Sequence, residues 1–275
     1  MDTSRNAPRN ISPSGSPSAS DRRAPRLHGA VCAITGAARG IGLAICERFG
    51  AEGARLACID VSERRLQPAV QGLRERGFDA RAYAVDVGRR ADVQAAFAAI
   101  ESDFGAPLGV LVNNAVWARF QPLEQIEEDL LDRTLTVGLK AMIWTLQAAV
   151  PQMKRRGAGS VINLSSTSAL RSLPDSMVYA AMKAGVLGLT RAAAVELSPL
   201  RIRVNAIVPG MVGTEASKAQ YDDATLAARL AEMPLGRFGE PEEIAAAAAF
   251  LAGDDSLYVQ GAELVVDGGW TIAAR

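Results

Sequence analysis

From Leu27 to the C-terminus, short continuous apolar runs alternate with longer stretches in which apolar residues recur every three or four positions. The runs at 30–35, 55–60, 80–86, 109–113, 160–165, 201–208 and 263–267 read as strands buried on both faces. The stretches at 41–52, 63–76, 90–104, 124–155, 176–197 and 241–252 read as helices. This alternation predicts an α/β fold: a doubly wound, seven-stranded parallel sheet of the Rossmann type, in one domain spanning 27–275. Residues 215–232 break the rhythm, with a helical pattern between the last two strands. An insertion there would overhang the carboxyl ends of the strands, so it is expected to form a small substrate lid.

Residues 1–26 have another character, with six Ser, four Pro and five Arg, and Ile11 as the one large aliphatic residue after Met1. Such a segment cannot bury enough apolar surface to offset its ordering entropy and is expected to be a disordered extension. It lacks the apolar core of a secretory signal, and its prolines oppose an amphipathic presequence helix, so the expected location is cytoplasmic. Lys+Arg and Asp+Glu both number 30. That balance leaves no excess of positive charge to neutralise a nucleic-acid backbone. The apolar runs fall short of the ~20 residues that a membrane helix needs. Cys32, Cys46 and Cys58 read as small buried hydrophobes, and a single histidine, His28, rules out His-based triads and His-rich metal cages. No metal is expected.

Directly after the first strand comes Thr35-Gly36-Ala37-Ala38-Arg39-Gly40-Ile41-Gly42. Glycines at 36, 40 and 42 permit a tight turn and close backbone approach to a ligand, while the helix that follows aims its first N–H groups at a pyrophosphate. Strand before and helix after is the context that gives a glycine cluster meaning. Asp60, at the end of the second strand, would accept hydrogen bonds from a ribose 2′-hydroxyl and repel a 2′-phosphate. NAD is therefore expected over NADP. Arg39, inside the loop, is the opposing feature, because a guanidinium there could hold a 2′-phosphate.

Tyr179 and Lys183 stand four residues apart on one helix face. A phenol at its ordinary pKa near 10 is a poor base, and a neighbouring ammonium lowers that value. Ser166 ends the apolar run Val161-Ile162-Asn163-Leu164, on the sheet's carboxyl edge, where a hydroxyl can meet a substrate oxygen. Its neighbour Ser165 should point the other way.

Together these residues resemble the short-chain dehydrogenase/reductase family. The similarity runs from about Leu27 to the C-terminus and includes TGAARGIG at 35–42, VDV at 85–87, NNA at 113–115, Ser166 with YAAMK at 179–183, PGMVGT at 209–214, PLGRFGEPEEIA at 234–245 and VDGGW at 266–270. The resemblance implies that Tyr179 is the general acid/base, that Lys183 lowers its pKa and binds the nicotinamide ribose, and that Ser166 polarises the substrate oxygen. It further implies that Asp86 and Val87 meet the adenine and that Asn113 and Ala115 line a ribose. Val212 and Thr214 would hold the carboxamide, and Pro209 and Gly210 would also belong to the cofactor site.

Two departures from the family pattern stand out. Val116 follows Asn113-Asn114-Ala115 where the family usually has Gly, which should narrow the space beside the nicotinamide or turn Trp117. Gly138 stands where the family usually has an Asn that anchors a helix kink in the proton relay. A helix-interior Gly costs about 1 kcal/mol relative to Ala, so it is not there for helix stability. The relay is expected to run through the Gly138 backbone and water, with activity retained.

Trp117, Ser168, Leu170, Met211 and Tyr221 are expected to line a mainly apolar substrate pocket, with Arg171 close by as a solvated loop charge. This suits a small to medium secondary alcohol or ketone. Surplus apolar residues on the helices at 124–155 and 176–197 suggest burial between subunits, and the resemblance implies a homotetramer. The leading expectation is an NAD-dependent secondary-alcohol dehydrogenase. The alternatives are an NADPH-dependent ketone or 3-oxoacyl thioester reductase, and a dinucleotide-binding sensor or scaffold with impaired chemistry.

Overall fold

The computed structural model describes residues 26–214 and 228–273. Most of the expected lid, including Tyr221, and nearly all of the N-terminal extension lie outside the described residues. The strands are β1 (Val31–Thr35), β2 (Arg55–Asp60), β3 (Ala80–Ala84), β4 (Leu108–Asn113), β5 (Gly159–Leu164), β6 (Ile202–Pro209) and β7 (Glu263–Val266). They pair in the order β3-β2-β1-β4-β5-β6-β7, and every pairing is parallel. The helices are α1 (Gly40–Ala51), α2 (Glu63–Glu75), α3 (Arg90–Phe104), α4 (Glu128–Leu135), α5 (Ala141–Arg156), α6 (Met177–Leu197) and α7 (Pro241–Ala252).

Alternation along the strands sends side chains to two apolar layers. Cys32, Ile34 and Cys58 pack with Ile45 and Phe49 of α1, Leu66 and Val70 of α2, and Ile244 and Leu251 of α7. On the opposite face, Ala33, Ile59, Leu111 and Val161 meet Phe97 and Ile100 of α3, Met153 of α5 and Ala194 of α6. Truncating a fully buried ring such as Phe49 to Ala would cost about 3–5 kcal/mol. The three cysteines are free and buried, and burial pushes the Cys32 thiol well above its usual range. They are packing residues.

Local chemistry sets where the helices stop and start. Gly105 and Gly157 adopt left-handed backbone at the ends of α3 and α5, a conformation that costs glycine nothing. Pro241 opens α7 behind a reciprocal capping box formed by Glu240 and Glu243.

The stretch expected as one helix from 124 to 155 is divided. A 3₁₀ turn, Leu123–Gln125, precedes α4, and a π-helical turn, Thr136–Lys140, joins α4 to α5. By length and composition alone, Met177–Leu200 would pass for a membrane span. In the structure this segment, mostly α6, packs Met182, Val186, Thr190 and Ala194 into the interior.

The sheet's switch point lies between β1 and β4, where neighbouring strands lead to helices on opposite faces. A crevice opens there at the carboxyl ends of the strands.

Candidate active site

One threonine ties the two central strands together at this crevice. Thr35 donates its hydroxyl to the Val112 carbonyl (3.2 Å) and accepts from the Asn114 and Ala115 N–H groups (both 3.0 Å). The Asn114 amide donates to the carbonyls of Thr35 (2.9 Å) and Gly36 (3.2 Å), so it holds the start of the glycine loop against the end of β4. The loop tolerates no side chains at its contacts. A β-carbon on Gly42 would lie 2.0 Å from the Gly36 carbonyl oxygen, and one on Gly36, at φ +67°, would lie 2.8 Å from the Asn114 amide nitrogen. The bare backbone and the first turn of α1, whose N–H groups have no helical acceptor, form a cradle that fits a pyrophosphate.

Asp60 sits beside the cradle. Its carboxylate accepts from the Ala38 N–H (3.2 Å) and the Ser62 N–H (2.9 Å). A carboxylate has about four lone-pair sites, so acceptor capacity remains for a ribose diol. Arg39 is exposed immediately before α1 and makes no ion pair among the described residues.

A cavity of about 180 Å³ runs from this cradle to the end of β5. It brings together Ile41, Pro209, Gly210 and Thr214 from the cofactor-side loops with Ser166, Tyr179 and Lys183. Lys183 is 3% exposed and donates Nζ to the Leu164 carbonyl at 2.7 Å. Burial, with no carboxylate partner among the described residues, lowers its pKa from 10.5 to about 8. The ammonium lies 5.7 Å from the centroid of the Tyr179 ring. Ser166 begins a short 3₁₀ turn, and its hydroxyl accepts from the Ser168 N–H (3.1 Å). The Ser165 hydroxyl is turned to the Lys183 carbonyl (2.9 Å), which fastens β5 to α6. A phenol, an ammonium and a hydroxyl sharing one cavity can pass a proton to or from a substrate oxygen.

Residues 36–271 match the family model described as enoyl-(acyl carrier protein) reductase. D-threitol dehydrogenase of Mycolicibacterium smegmatis is 39% identical over 248 residues, covering 90% of this chain and 95% of that protein. The 3-oxoacyl-(acyl-carrier-protein) reductase of Thermotoga maritima is 38% identical, covering 90% of this chain and all of that one. The chain belongs to the short-chain dehydrogenase/reductase family. A gluconate 5-dehydrogenase from Burkholderia cenocepacia, solved in complex with NADP and tartrate, superposes with a TM-score of 0.87 at 34% identity, over 91% of this chain and 98% of that one. The protein is an oxidoreductase of the short-chain dehydrogenase/reductase family and uses a nicotinamide cofactor.

Protein groups hold several of the side chains that the family pattern pointed to. The Asn113 amide donates to Asn163 (2.9 Å) and accepts from the Thr145 hydroxyl (2.7 Å), and Asn163 in turn donates to Thr190 (2.9 Å). That side chain holds β4 to β5 and α5 inside the core, and it is Asn114 that lines the cavity. Ala115 contributes its N–H to Thr35. Asp86 caps a turn through the Gly88 N–H (2.9 Å), and Val87 is buried behind it. Val212 lines the cavity and bridges to Gly239, so the segment before α7 supports the cofactor side.

On the substrate side, Val116 lines the cavity, whereas Trp117, Ser168 and Met211 do not. Trp117 lies under the guanidinium groups of Arg119 (5.9 Å) and Arg133 (4.9 Å). Ser168 borders a separate, larger cavity of about 530 Å³ beside the N-terminal part of α6. Met211 accepts from the Gly239 N–H through its carbonyl (2.9 Å). Arg171 is not a solvated loop charge. It donates to the Trp270 carbonyl at 2.8 Å and stacks on the Trp270 ring at 5.2 Å, joining the segment after Ser166 to the C-terminal turn. Phe120, absent from the sequence expectations, packs on Tyr179 with ring centroids 5.3 Å apart.

Proposed function

We propose that this enzyme oxidises a secondary alcohol with NAD, or reduces the corresponding ketone, with Tyr179 as general acid/base. The cavity shared by Tyr179, Lys183, Ser166 and the glycine-loop face supports this reading most directly. The bound nicotinamide cofactor would accept or supply the hydride. In the oxidative direction Tyr179 takes the hydroxyl proton, favoured by the positive charge of Lys183 next to its ring. Ser166 holds the substrate oxygen by a hydrogen bond and so fixes its orientation. Lys183, oriented by the Leu164 carbonyl, has further N–H groups to offer a ribose hydroxyl.

Gly36, Gly40, Ile41 and Gly42 would hold the pyrophosphate, and Val212 and Thr214 the carboxamide, with Pro209 and Gly210 also in the cofactor site. Spare acceptor capacity on Asp60 supports NAD over NADP. Gly138, inside the π-helical turn, would serve the proton relay through its backbone. A homotetramer is in keeping with the exposure of Ile143 on α5 and of Met177 and Val195 on α6.

A second reading, NADPH-dependent reduction of a ketone or 3-oxoacyl thioester, draws on Arg39, exposed and without an ion-pair partner among the described residues, and on the NADP in the Burkholderia structure. A panel of secondary alcohols and ketones with each cofactor, followed by absorbance of the reduced nicotinamide, separates the two. NAD-linked turnover supports the first reading. Higher kcat/KM with the phosphorylated cofactor supports the second, and no cofactor turnover with any of them contradicts both.

A further inference from the structure

Resting on the dehydrogenase reading above, we infer that Phe120 and Val116 form an apolar wall beside the reacting phenol, and that the substrate arm lying there is an alkyl or aryl group and not a hydroxylated chain.

The wall is built by the segment that leaves β4. Val116 lines the cavity that holds Tyr179 and Ser166 yet is 47% exposed, so its branched side chain faces open space at the cavity's mouth. Phe120, 40% exposed, sets its ring 5.3 Å from the Tyr179 ring at an interplanar angle of 60°. Tyr179 is thus flanked by the Lys183 ammonium and by this phenyl group. Phe120 does not itself line that cavity but packs on the Tyr179 ring, so an alcohol whose oxygen meets the phenol would lay one of its two substituents towards this face.

Two polar side chains of the same segment, Arg119 and Gln121, are engaged or buried among the described residues. The Arg119 guanidinium lies over Trp117. Gln121 donates its backbone N–H to the Asp175 carbonyl (3.0 Å), and its amide oxygen is buried with no partner among the described residues. A polyol arm against Val116 and Phe120 would lose water without gaining hydrogen bonds, whereas an alkyl or aryl arm would only shed apolar surface. An apolar pocket rejects an added hydroxyl by about a hundredfold at most, so the preference should be clear without being absolute. The substrate class would then differ from the polyol in the name of the D-threitol dehydrogenase relative.

The test is kcat/KM with NAD for 2-octanol and 1-phenylethanol against D-threitol, in the native enzyme and in Phe120→Ala and Phe120→Leu variants. The wall predicts at least a tenfold preference for the apolar alcohols. Phe120→Ala should shrink that ratio about tenfold through a higher KM for the apolar alcohols, and Phe120→Leu should keep most of it. Turnover that favours D-threitol, or a ratio that Phe120→Ala leaves unmoved, overturns the inference while leaving the dehydrogenase reading intact. No turnover of either class, or of the matching ketones, with either cofactor sinks the dehydrogenase reading and this inference with it.

Discussion

A β-carbon on Gly138 would lie 2.6 Å from the Met182 sulfur and within 3 Å of two further atoms of that side chain. Both residues are buried, Gly138 in the π-helical turn between α4 and α5 and Met182 next to Lys183 on α6. The long thioether fills the space that a side chain at 138 would take, so glycine there is matched to methionine across the helix contact. Extra helical residues of this π kind recur at functional sites.

Gly138→Ala sets an overpacking cost of about 1–3 kcal/mol against a gain of about 1 kcal/mol in helix propensity, so its net loss should stay at or below about 2 kcal/mol. Met182→Ala should lower stability by leaving a cavity, and the double variant should recover part of both losses, with a coupling of about 1 kcal/mol or more. Denaturant unfolding of the four proteins measures this cycle. Gly138→Asn should not raise turnover unless Met182 is shortened as well. Strict additivity would show that the two residues do not share the space.

Lys183 sets a pH dependence whose sign is determined by its lowered pKa. Below about pH 8 the ammonium is charged in both folded and unfolded chains, and the folded state bears the full cost of burying it. Between about 8 and 10.5 the unfolded chain binds more protons than the folded one, so this residue makes stability rise with pH across that window. The stability difference between Lys183→Met and native protein, followed by urea unfolding from pH 7 to 10, should favour the variant most at pH 7 and shrink towards pH 10. A difference that is constant with pH would contradict the burial of a charged lysine.

Asp60 anchors the glycine loop through two backbone N–H groups as well as facing the expected ribose. Asp60→Asn keeps an acceptor oxygen while removing the charge. The ratio of kcat/KM for NADP over NAD should rise at least tenfold, with Arg39 already in place. An unchanged ratio would show that the carboxylate does not set cofactor choice.

The buried chain Thr145–Asn113–Asn163–Thr190 should be worth more to stability than to cofactor affinity. Asn163→Leu leaves the Asn113 amide nitrogen without its acceptor and should cost about 1–3 kcal/mol. Thermal unfolding checks the cost, and a cofactor Kd within a few-fold of native would show that Asn113 acts through the core.

Most of the fold was legible because buried parallel strands are continuous apolar runs, and β2 at 55–60 matches its expected span without adjustment. The break inside 124–155 was not legible in the hydrophobic pattern, since one extra residue in a π turn barely disturbs a helical period; only the family resemblance pointed to a kink at Gly138. Ser166, Tyr179, Lys183 and Ile41, which follows the second glycine of the loop, line one cavity because each is pinned to a strand end or a helix. Trp117, Ser168 and Met211 depend on loop paths, which sequence spacing does not determine. Asn113 and Asn114 differ only in which way an adjacent amide faces. The alternation that assigned Ser165 and Ser166 their opposite directions offered a signal for that pair too. Nothing in the pattern marked Phe120.

The central claim is that the Tyr179 phenol exchanges the proton as hydride moves. The most direct measurement is single-turnover cofactor reduction by the native enzyme and Tyr179→Phe, each saturated with NAD and its best alcohol. Loss of the hydroxyl should slow the step by about 10²–10⁴-fold with cofactor Kd little changed. A rate within a few-fold of native would contradict it.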